Sequence, residues 1–451
     1  MPKPASTRVP ESSIPRVVHE IVIVGGGAGG LELATQLGDK LGRRSKARIT
    51  LVDAARSHLW KPLLFEVAAG SLDSYSDRLE YLAQAKWHHF RFHLGRMNGL
   101  DRAGQVIHLA PTLDERGNEI MPKRSLHYDT LVLAVGSIAN DFGVPGVREH
   151  CAMLDTPEQA REFHRRHINA CLRAHTQPEA VQSGQLTVAI VGAGATGVEL
   201  AAELHDTTRE LTAFGLERID PDKNLQLVIV EAAERILPGL PAKLSAAVLD
   251  RLKQLDVEVH ASERVVEVRD DGLLTASGKF VAAGMMVWSA GIKAPDFLNG
   301  IDGLESNRIN QLVVRPTLQT TRDDNIFALG DCAACPMRDG KGNVPPRAQA
   351  AHQQASLLLH SLQQRLKGKP LAEYRYRDLG SLVALGMFSP VGSLMGALMG
   401  GSVMIEGVMA RLVYWSLHKM HQVALNGYYR TALGTLANLI NRPNQVKIKL
   451  H

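Results

Sequence analysis

Cysteine is scarce in this chain, which has four among its 451 residues: Cys151, Cys171, Cys332 and Cys335. Thiols this few and this scattered exclude a disulfide framework and predict a reducing cytosol. Cys332 and Cys335 have the spacing of a redox dithiol or of half a zinc site, but no second Cys or His pair lies nearby to complete a metal site. We therefore interpret the pair as structural.

An apolar signal core is missing from the first 18 residues, which are rich in Pro, Ser and Arg. Secretory signals need an apolar stretch of about 7 to 15 residues, so we expect a disordered tail at 1–18 and no export.

Acidic residues are absent from residues 407–451, which carry six Lys and Arg and hence a charge of +6. Residues 1–406 hold 45 basic and 46 acidic side chains and sum to −1. Apolar residues recur at helical spacing on both sides of an Asn426-Gly427 break: Met409, Leu412, Val413, Leu417, Met420 and Ala424, then Tyr429, Leu433, Leu436 and Ile440. This pattern predicts basic amphipathic helices that lie on an anionic bilayer surface. The alternative is an ordinary helical pair packed on the body of the protein.

Charge of either sign is also absent between Leu379 and Ile405, a run long enough to span a membrane. Six glycines, four serines and Pro390 interrupt the run. Such turn residues favour a buried β-hairpin over a spanning helix.

A repeated phrase is the strongest feature that is present. IVIVGGGAGGLELATQL at 21–37 and VAIVGAGATGVELAAEL at 188–204 agree at ten of seventeen positions. Each copy is an apolar strand that leads through G-x-G-x-x-G into a helix, with the glycines Gly25, Gly27 and Gly30 in the first copy and Gly192, Gly194 and Gly197 in the second. These glycines permit a tight turn, a close approach to a pyrophosphate and helix packing on the strand. The chain therefore contains two predicted dinucleotide sites.

An acidic residue closes the second strand of each copy. Asp53 lies 23 residues past Gly30, and Glu231 lies 34 residues past Gly197, which predicts an elongated helix and loop in the second copy. Both carboxylates can accept hydrogen bonds from a ribose diol and repel a 2′-phosphate. This favours NAD over NADP in the second site.

A third signature, TLQTTRDDNIFALGDCA at 317–333, resembles the second FAD motif of the two-dinucleotide-binding flavoprotein reductases. The resemblance implies that Asp331 binds the ribityl chain, that the first glycine loop with Asp53 holds FAD, and that the second with Glu231 holds NADH. Disulfide reductases of this superfamily carry Cys-x4-Cys in the stretch that corresponds to residues 58–73. This stretch contains no cysteine, so a flavin-to-dithiol relay there is excluded.

From about His19 to His451 the sequence most resembles the type II NADH:quinone oxidoreductases. The stretch HLWKPLLFEVAAG, which contains Lys61, resembles the family segment along the flavin ring, and MMVWSAGIKAP, which contains Gly291, resembles its NADH-side equivalent. In RAQAAHQQA, Gln349 and Gln353 match the family element A-Q-x-A-x-Q, whose glutamines line the quinone pocket beside the flavin. The resemblance implies a catalytic part for both glutamines and a contact of Gln349 with FAD.

The A-Q-x-A-x-Q element also makes physical sense. Pro345-Pro346 can start a helix whose positive end would stabilise a reduced flavin, and glutamines four residues apart share one helical face. Without the resemblance, a solvated polar face is the better interpretation. The family also places an acid at Glu199, near the nicotinamide, and the resemblance implies a catalytic part for it in hydride transfer or proton supply; a helix-capping role is the alternative. The family usually has a lysine near the quinone site where this chain has Arg377. His352 receives no role.

The sequence thus predicts an α/β fold with two Rossmann-like domains. The expected parts are an FAD domain split over 19–150 and 310–380, an NADH domain at 151–309, and a C-terminal hairpin with membrane-anchoring helices at 381–451. The hypothesis is that NADH reduces FAD, which then passes two electrons to a membrane quinone without proton pumping. We expect a peripheral protein on the cytoplasmic face of the inner membrane, with no nucleic-acid partner and no metal; family habit implies a homodimer. The rivals are a soluble NADH-dependent reductase with another acceptor and a membrane NADH sensor without turnover.

Overall fold

The computed structural model describes residues 18–379 except 76, 77, 115, 183, 214, 217 and 341, and further elements at 381–385, 388–395, 402–406 and 408–441. Side chains are described over the first range except at 212 and 213, and within the last element at 416, 419–425 and 427–437. The predicted tail before residue 18 and the basic tail after 441 lie outside the described residues.

The first dinucleotide unit contains the first copy of the repeat. Its helices are α1 Ala28–Leu37, α2 Leu64–Ala69 and α3 Tyr81–Trp87. Its strands are β1 His19–Val24, β2 Ala47–Asp53, β3 Ser57–His58, β4 Leu79–Glu80, β5 Arg91–Leu94, β6 Met97–Asp101, β7 Val106–Leu109, β8 Thr112–Leu113, β9 Glu119–Met121, β10 Arg124–His127, β11 Thr130–Leu133 and β12 Ile138–Ala139.

The second dinucleotide unit contains the second copy. Its helices are α4 Val147–His150, α5 Pro157–Thr176, α6 Ala195–Ala213, α7 Pro221–Asn224 and α8 Ala242–Gln254. Its strands are β13 Cys151–Met153, β14 Thr187–Val191, β15 Gln226–Val230, β16 Val257–His260, β17 Val265–Arg269, β18 Gly272–Thr275, β19 Phe280–Ala282, β20 Met285–Trp288 and β21 Ile292–Lys293. The long α6 with the short α7 is the elongated connection that the spacing of Glu231 predicts.

The remaining elements follow the second unit. The helices are α9 Ala348–Arg365 and α10 Val408–Asn441. The strands are β22 Leu312–Val313, β23 Gln319–Thr320, β24 Asp323–Ala328, β25 Ala333–Ala334, β26 Ser381–Leu385, β27 Phe388–Met395 and β28 Ser402–Glu406.

Each dinucleotide unit is organised around a mainly parallel sheet. The first sheet has the order β23-β24-β11-β1-β2-β5, and the second has β13-β20-β14-β15-β16. Only β23 pairs antiparallel, with β24. Strand β24, which follows the second unit in sequence, pairs parallel with β11 and completes the first sheet. The strands that carry the repeat, β1 and β14, are rich in Val and Ile and deeply buried, as parallel strands covered on both faces require.

Two short strands join the units where the chain passes between them. Strand β12 leads out of the first unit and pairs antiparallel with β21, which leads back from the second. The chain therefore enters and leaves the second unit through one ribbon.

The C-terminal region differs from the sequence prediction in one respect. Residues 381–406 form a three-stranded antiparallel sheet, β26-β27-β28, where a hairpin was expected. Pro390 and Gly392, which were expected to interrupt the uncharged run, lie inside strand β27. The side chains of these strands lie outside the described residues.

Helix α10 has the predicted break, because Gly427 adopts φ 75° and ψ 167° inside it. Met420, Tyr429, Leu433 and Leu436 of the predicted apolar stripes are exposed, whereas His421 and Leu425 are buried against the body. The side chains of Met409, Leu412, Val413, Leu417 and Ile440 lie outside the described residues. Of the helices that the structure describes, none has the length and apolarity that crossing a bilayer requires.

Candidate functional site

The first glycine loop has the geometry of a phosphate cradle. Gly25 adopts φ +103°, which strongly favours glycine, and a Cβ on it would lie 2.3 Å from the Ala134 carbonyl oxygen. A Cβ on Gly30 would lie 1.9 Å from the Gly25 oxygen, so α1 packs tightly against the turn. A Cβ on Gly27 would meet no atom within 4 Å. The loop is therefore closed on the protein side and open where a pyrophosphate would approach.

The second loop repeats this geometry. Gly192 adopts φ +101°, and a Cβ on Gly197 would lie 2.0 Å from the Gly192 oxygen. A Cβ on Gly194 would again meet no atom within 4 Å. Both predicted sites therefore have a backbone that fits a dinucleotide.

The two acids brace these loops in the same way. One Asp53 carboxylate oxygen accepts a hydrogen bond from the Gly26 amide at 2.6 Å and the other from the Ala55 amide. Glu231 accepts from the Ala193 amide at 2.6 Å and from the Ala233 amide. Burial raises the pKa of Asp53, which its hydrogen bonds with the Gly26 and Ala55 amides oppose. Each acid thus lies beside its own glycine loop, where the ribose of a dinucleotide would bind.

Asp331 and Lys61 both form hydrogen bonds with Ser137. The Ser137 hydroxyl donates to the Asp331 carboxylate at 2.8 Å, and the Lys61 ammonium donates to the Ser137 carbonyl at 2.8 Å. Lys61 also lies 3.3 Å from Asp155, whose carboxylate accepts the Ala139 amide. This network connects the third signature with the flavin-ring stretch and with the start of the second unit.

The A-Q-x-A-x-Q element begins α9. Arg347 is the N-cap, so Pro345-Pro346 precede the helix and do not form its first turn. Ala351 packs close to the third signature, because a Cβ on Gly330 would lie 3.5 Å from the Ala351 methyl group. The Gly330 amide also donates to the side-chain oxygen of Gln354 at 2.7 Å.

Gln349 and Gln353 share one face of α9, as predicted, and both bind the segment that follows Tyr374. Gln349 accepts the Leu379 amide at 2.9 Å. Gln353 accepts the Arg377 amide at 3.0 Å and donates to the Arg377 carbonyl at 2.8 Å. Arg377 therefore contributes its backbone here.

Glu199 and Gly291 lie in the second unit. Glu199 is buried on α6, two residues past Gly197. Its counterpart in the first unit, Glu32, is buried on α1 and pairs with His352 of α9. Gly291 adopts φ +64°, accepts the Asn140 amide at 3.2 Å and lies against the Phe142 ring.

The paired cysteines are buried. Burial raises the pKa of both Cys332 and Cys335 to about 11, so the thiols stay protonated at neutral pH. This supports the structural interpretation. Among the described residues no group of three or more His, Cys, Asp and Glu side chains is arranged to hold a metal ion.

Several site contacts were missed by sequence reasoning. Ser137 and Asp155 carry no motif, and their roles come from contacts between distant segments. His58 and Tyr81 both contact the Gly26 carbonyl in the first loop. Only Gln354 had a local signal, because it directly follows the A-Q-x-A-x-Q element.

Comparisons with known proteins show which family the chain resembles. The profile of the pyridine nucleotide-disulphide oxidoreductase family matches residues 19–355. The type II NADH:quinone oxidoreductase of Haemophilus influenzae is 43% identical over 446 residues, which cover 96% of this chain and 100% of that protein. The type II NADH:quinone oxidoreductase Ndh of Mycobacterium tuberculosis is 27% identical over 95% of this chain and 90% of that protein. The structure of NDH2 from Plasmodium falciparum in complex with NADH superposes with a TM-score of 0.79 at 17% identity, covering 96% of this chain and 100% of that one.

Proposed function

This chain belongs to the type II NADH:quinone oxidoreductases, and on that premise we propose which of its residues bind each reactant. The protein transfers electrons from NADH through FAD to a quinone. Bound FAD supplies the redox chemistry, because it accepts two electrons from one partner and passes them to the next. The protein supplies binding, orientation and electrostatics. The observation that carries the proposal is the pair of matched loops, each with an open cradle and its own acid.

We assign FAD to the first loop and NADH to the second. The first loop belongs to the sheet that β24 completes, and β24 leads directly into Asp331. The proposed division is an FAD domain at 19–150 and 310–380 around an NADH domain at 151–309. Asp53 and Glu231 bind the ribose hydroxyls, and the charge of Glu231 disfavours the 2′-phosphate of NADPH. Gly291 lies at the edge of the proposed NADH site.

One side of the proposed flavin site is lined by Lys61, Ser137 and Asp331. Their hydrogen bonds hold Asp331 in place for the ribityl hydroxyls and place the Lys61 ammonium beside the Ser137 carbonyl. Because Lys61 also forms an ion pair with Asp155, this side of the site is connected to the start of the second unit.

Gln349 and Gln353 are the proposed quinone ligands. Their amides already bind the backbone of 377–379, so this segment forms one side of the pocket. A quinone carbonyl oxygen would accept a hydrogen bond from the side-chain amide of Gln349 or Gln353. The quinone would lie beside residues 377–379 or displace them. Glu199, a buried residue on the NADH side, is the proposed catalytic residue near the nicotinamide.

We place the membrane surface on the outer face of α10. Its exposed apolar residues Tyr429, Leu433 and Leu436 follow the break at Gly427, and the segment from 407 onward has no acid. The Arg430 guanidinium lies 4.6 Å above the ring of Trp87, a half-exposed residue of α3. Tryptophan and basic residues are typical of bilayer interfaces that carry anionic lipid. The proposed location is the cytoplasmic face of the inner membrane, and the proposed assembly is a homodimer, which sedimentation velocity tests.

Anaerobic absorbance spectroscopy tests the reaction. NADH should bleach the flavin of the purified protein, and a short-chain quinone should restore the colour within the turnover time. Bleaching without recovery would indicate another acceptor or a sensor, and no bleaching would contradict the NADH assignment.

Vesicle co-sedimentation tests the membrane surface. Replacing Tyr429, Leu433 and Leu436 with serine should release the protein from anionic vesicles. The matched control replaces Leu113 and Ile120 with serine; these apolar residues of another surface are as exposed as Leu436 and Leu433. Equal binding of both variants would contradict the proposed surface. Truncation at residue 407 is a poorer test, because it also removes the buried His421.

A further inference from the structure

The two glycine loops differ in how one carbonyl is held. In the second loop, the Ala193 carbonyl accepts a backbone hydrogen bond from Leu237 at 2.8 Å. In the first loop the corresponding residue is Gly26, and its carbonyl accepts from two side chains, the Tyr81 hydroxyl at 2.8 Å and His58 Nδ1 at 3.0 Å. Glycine is required here, since a Cβ would lie 2.4 Å from the Tyr81 hydroxyl. This carbonyl is therefore held by side chains in the first loop and by the backbone in the second.

The hydrogen bond from His58 fixes the proton positions on two imidazoles. A carbonyl oxygen can only accept, so His58 Nδ1 carries its proton. Burial lowers the pKa of His58 to about 4, so the ring is neutral at pH 7 and its Nε2 is an acceptor. That Nε2 lies 3.0 Å from Nε2 of His421, which must therefore donate. A chain of two hydrogen bonds thus runs from α10 to the glycine loop.

His421 sits in a buried socket that holds its ring in place. Its ring stacks on Trp60 with centroids 5.7 Å apart and an interplanar angle of 19°. The His352 ring packs edge-on at 5.2 Å, and His352 is itself paired with the buried Glu32. The residues around His421 come from α1, from β3 and the residues just after it, and from α9. Only 3% of His421 is exposed.

We infer that His421 is a positioning residue for FAD: through His58, the docked C-terminal helix holds the Gly26 carbonyl and thereby the loop that receives the FAD pyrophosphate. This inference rests on the proposed assignment of FAD to the first loop. It gives the C-terminal region a second role besides membrane attachment. The NADH loop has no such connection, because its equivalent carbonyl is held by the backbone of its own unit.

The test compares FAD release from the purified holoenzyme of three variants, followed by the rise in flavin fluorescence, and FAD retention during purification in a fourth. His421→Phe keeps the stack on Trp60 and removes the donor, so FAD release should accelerate about tenfold, since His58 Nε2 is left buried without its donor. His421→Gln places an amide donor near the position of Nε2 and should restore most of the wild-type rate. His360→Ala, an exposed histidine of α9, is the matched control and should release FAD at the wild-type rate. The Kd of NADH should stay unchanged in all three.

Gly27→Ala, the fourth variant, makes the two possible failures distinguishable. If Gly27→Ala loses FAD while His421→Phe retains it at the wild-type rate, the inference about His421 is wrong and the loop assignment stands. If Gly27→Ala retains FAD, the loop assignment is wrong and the inference falls with it. Faster release from His421→Phe that His421→Gln does not reverse would reduce His421 to a packing role and also overturn the inference.

Discussion

Replacing Gly27 with alanine, and Gly194 with alanine in a second variant, should cost each variant one dinucleotide and leave the other bound. Neither new methyl group would meet a protein atom within 4 Å. Gly27 has φ −63° and ψ −175°, which alanine adopts without strain. The free energy of unfolding should therefore stay constant or rise by about 0.4 to 1 kcal/mol, because alanine restricts the unfolded chain.

The cost should fall on the ligand. A methyl group placed where the pyrophosphate must contact the backbone acts like overpacking, worth about 1 to 3 kcal/mol. This corresponds to a rise in Kd of roughly 5- to 150-fold. We expect Gly27→Ala to lose FAD on gel filtration and Gly194→Ala to keep FAD but bind NADH weakly.

Flavin absorbance after desalting, NADH titration and the melting temperature measure these three quantities. Gly30→Ala is the contrasting variant, because its Cβ would lie 1.9 Å from the Gly25 oxygen and should lower the melting temperature. A wild-type Kd for FAD in Gly27→Ala would refute the reasoning. Loss of NADH affinity in Gly27→Ala would assign NADH to the first loop and FAD to the second.

Three further predictions concern specificity, acceptor and pH. Glu231→Gln should reduce the preference for NADH over NADPH by roughly tenfold, about 1.4 kcal/mol, because the charge that repels the 2′-phosphate is gone; the ratio of kcat/KM values measures it. Gln353→Leu should raise the KM for a short-chain quinone about tenfold, while NADH-dependent dye reduction stays at the wild-type rate; an unchanged KM would remove Gln353 from the quinone site. Burial lowers the pKa of His58 and His167 to about 4, below their ordinary value of 6.5. The unfolded chain therefore takes up these protons first as the pH falls. The contribution of each histidine to the free energy of unfolding should be nearly constant above about pH 7.5 and should fall by roughly 3 kcal/mol toward pH 4. Urea denaturation of His58→Gln and His167→Gln should show a weaker pH dependence in each.

The sequence was sufficient to predict both loops, because the repeat states their geometry twice and Asp53 and Glu231 follow the strands that the motif requires. It also predicted the shared face of Gln349 and Gln353, since spacing of four residues on a helix is a local property. The sequence did not predict contacts between segments that are far apart in the chain. His58 and His421 are separated by 363 positions and belong to no periodic pattern.

The same limit explains the smaller differences. Glycines mark where an uncharged run is interrupted, but they do not state how many strands pair, so a three-stranded sheet formed where a hairpin was expected. Lys61 was predicted as a site residue through family resemblance, but its partner Asp155 lies across the junction between the units and has no motif of its own.

The ribbon of β12 and β21 has a consequence for how the chain folds during synthesis. All five strands of the second sheet lie between Cys151 and Trp288, so this sheet can form as soon as that stretch leaves the ribosome. The first sheet begins earlier but must wait for β24, which is made after the whole second unit. We therefore expect the inserted unit to fold before its host, with the ribbon keeping the edge of β11 next to the point where β24 arrives.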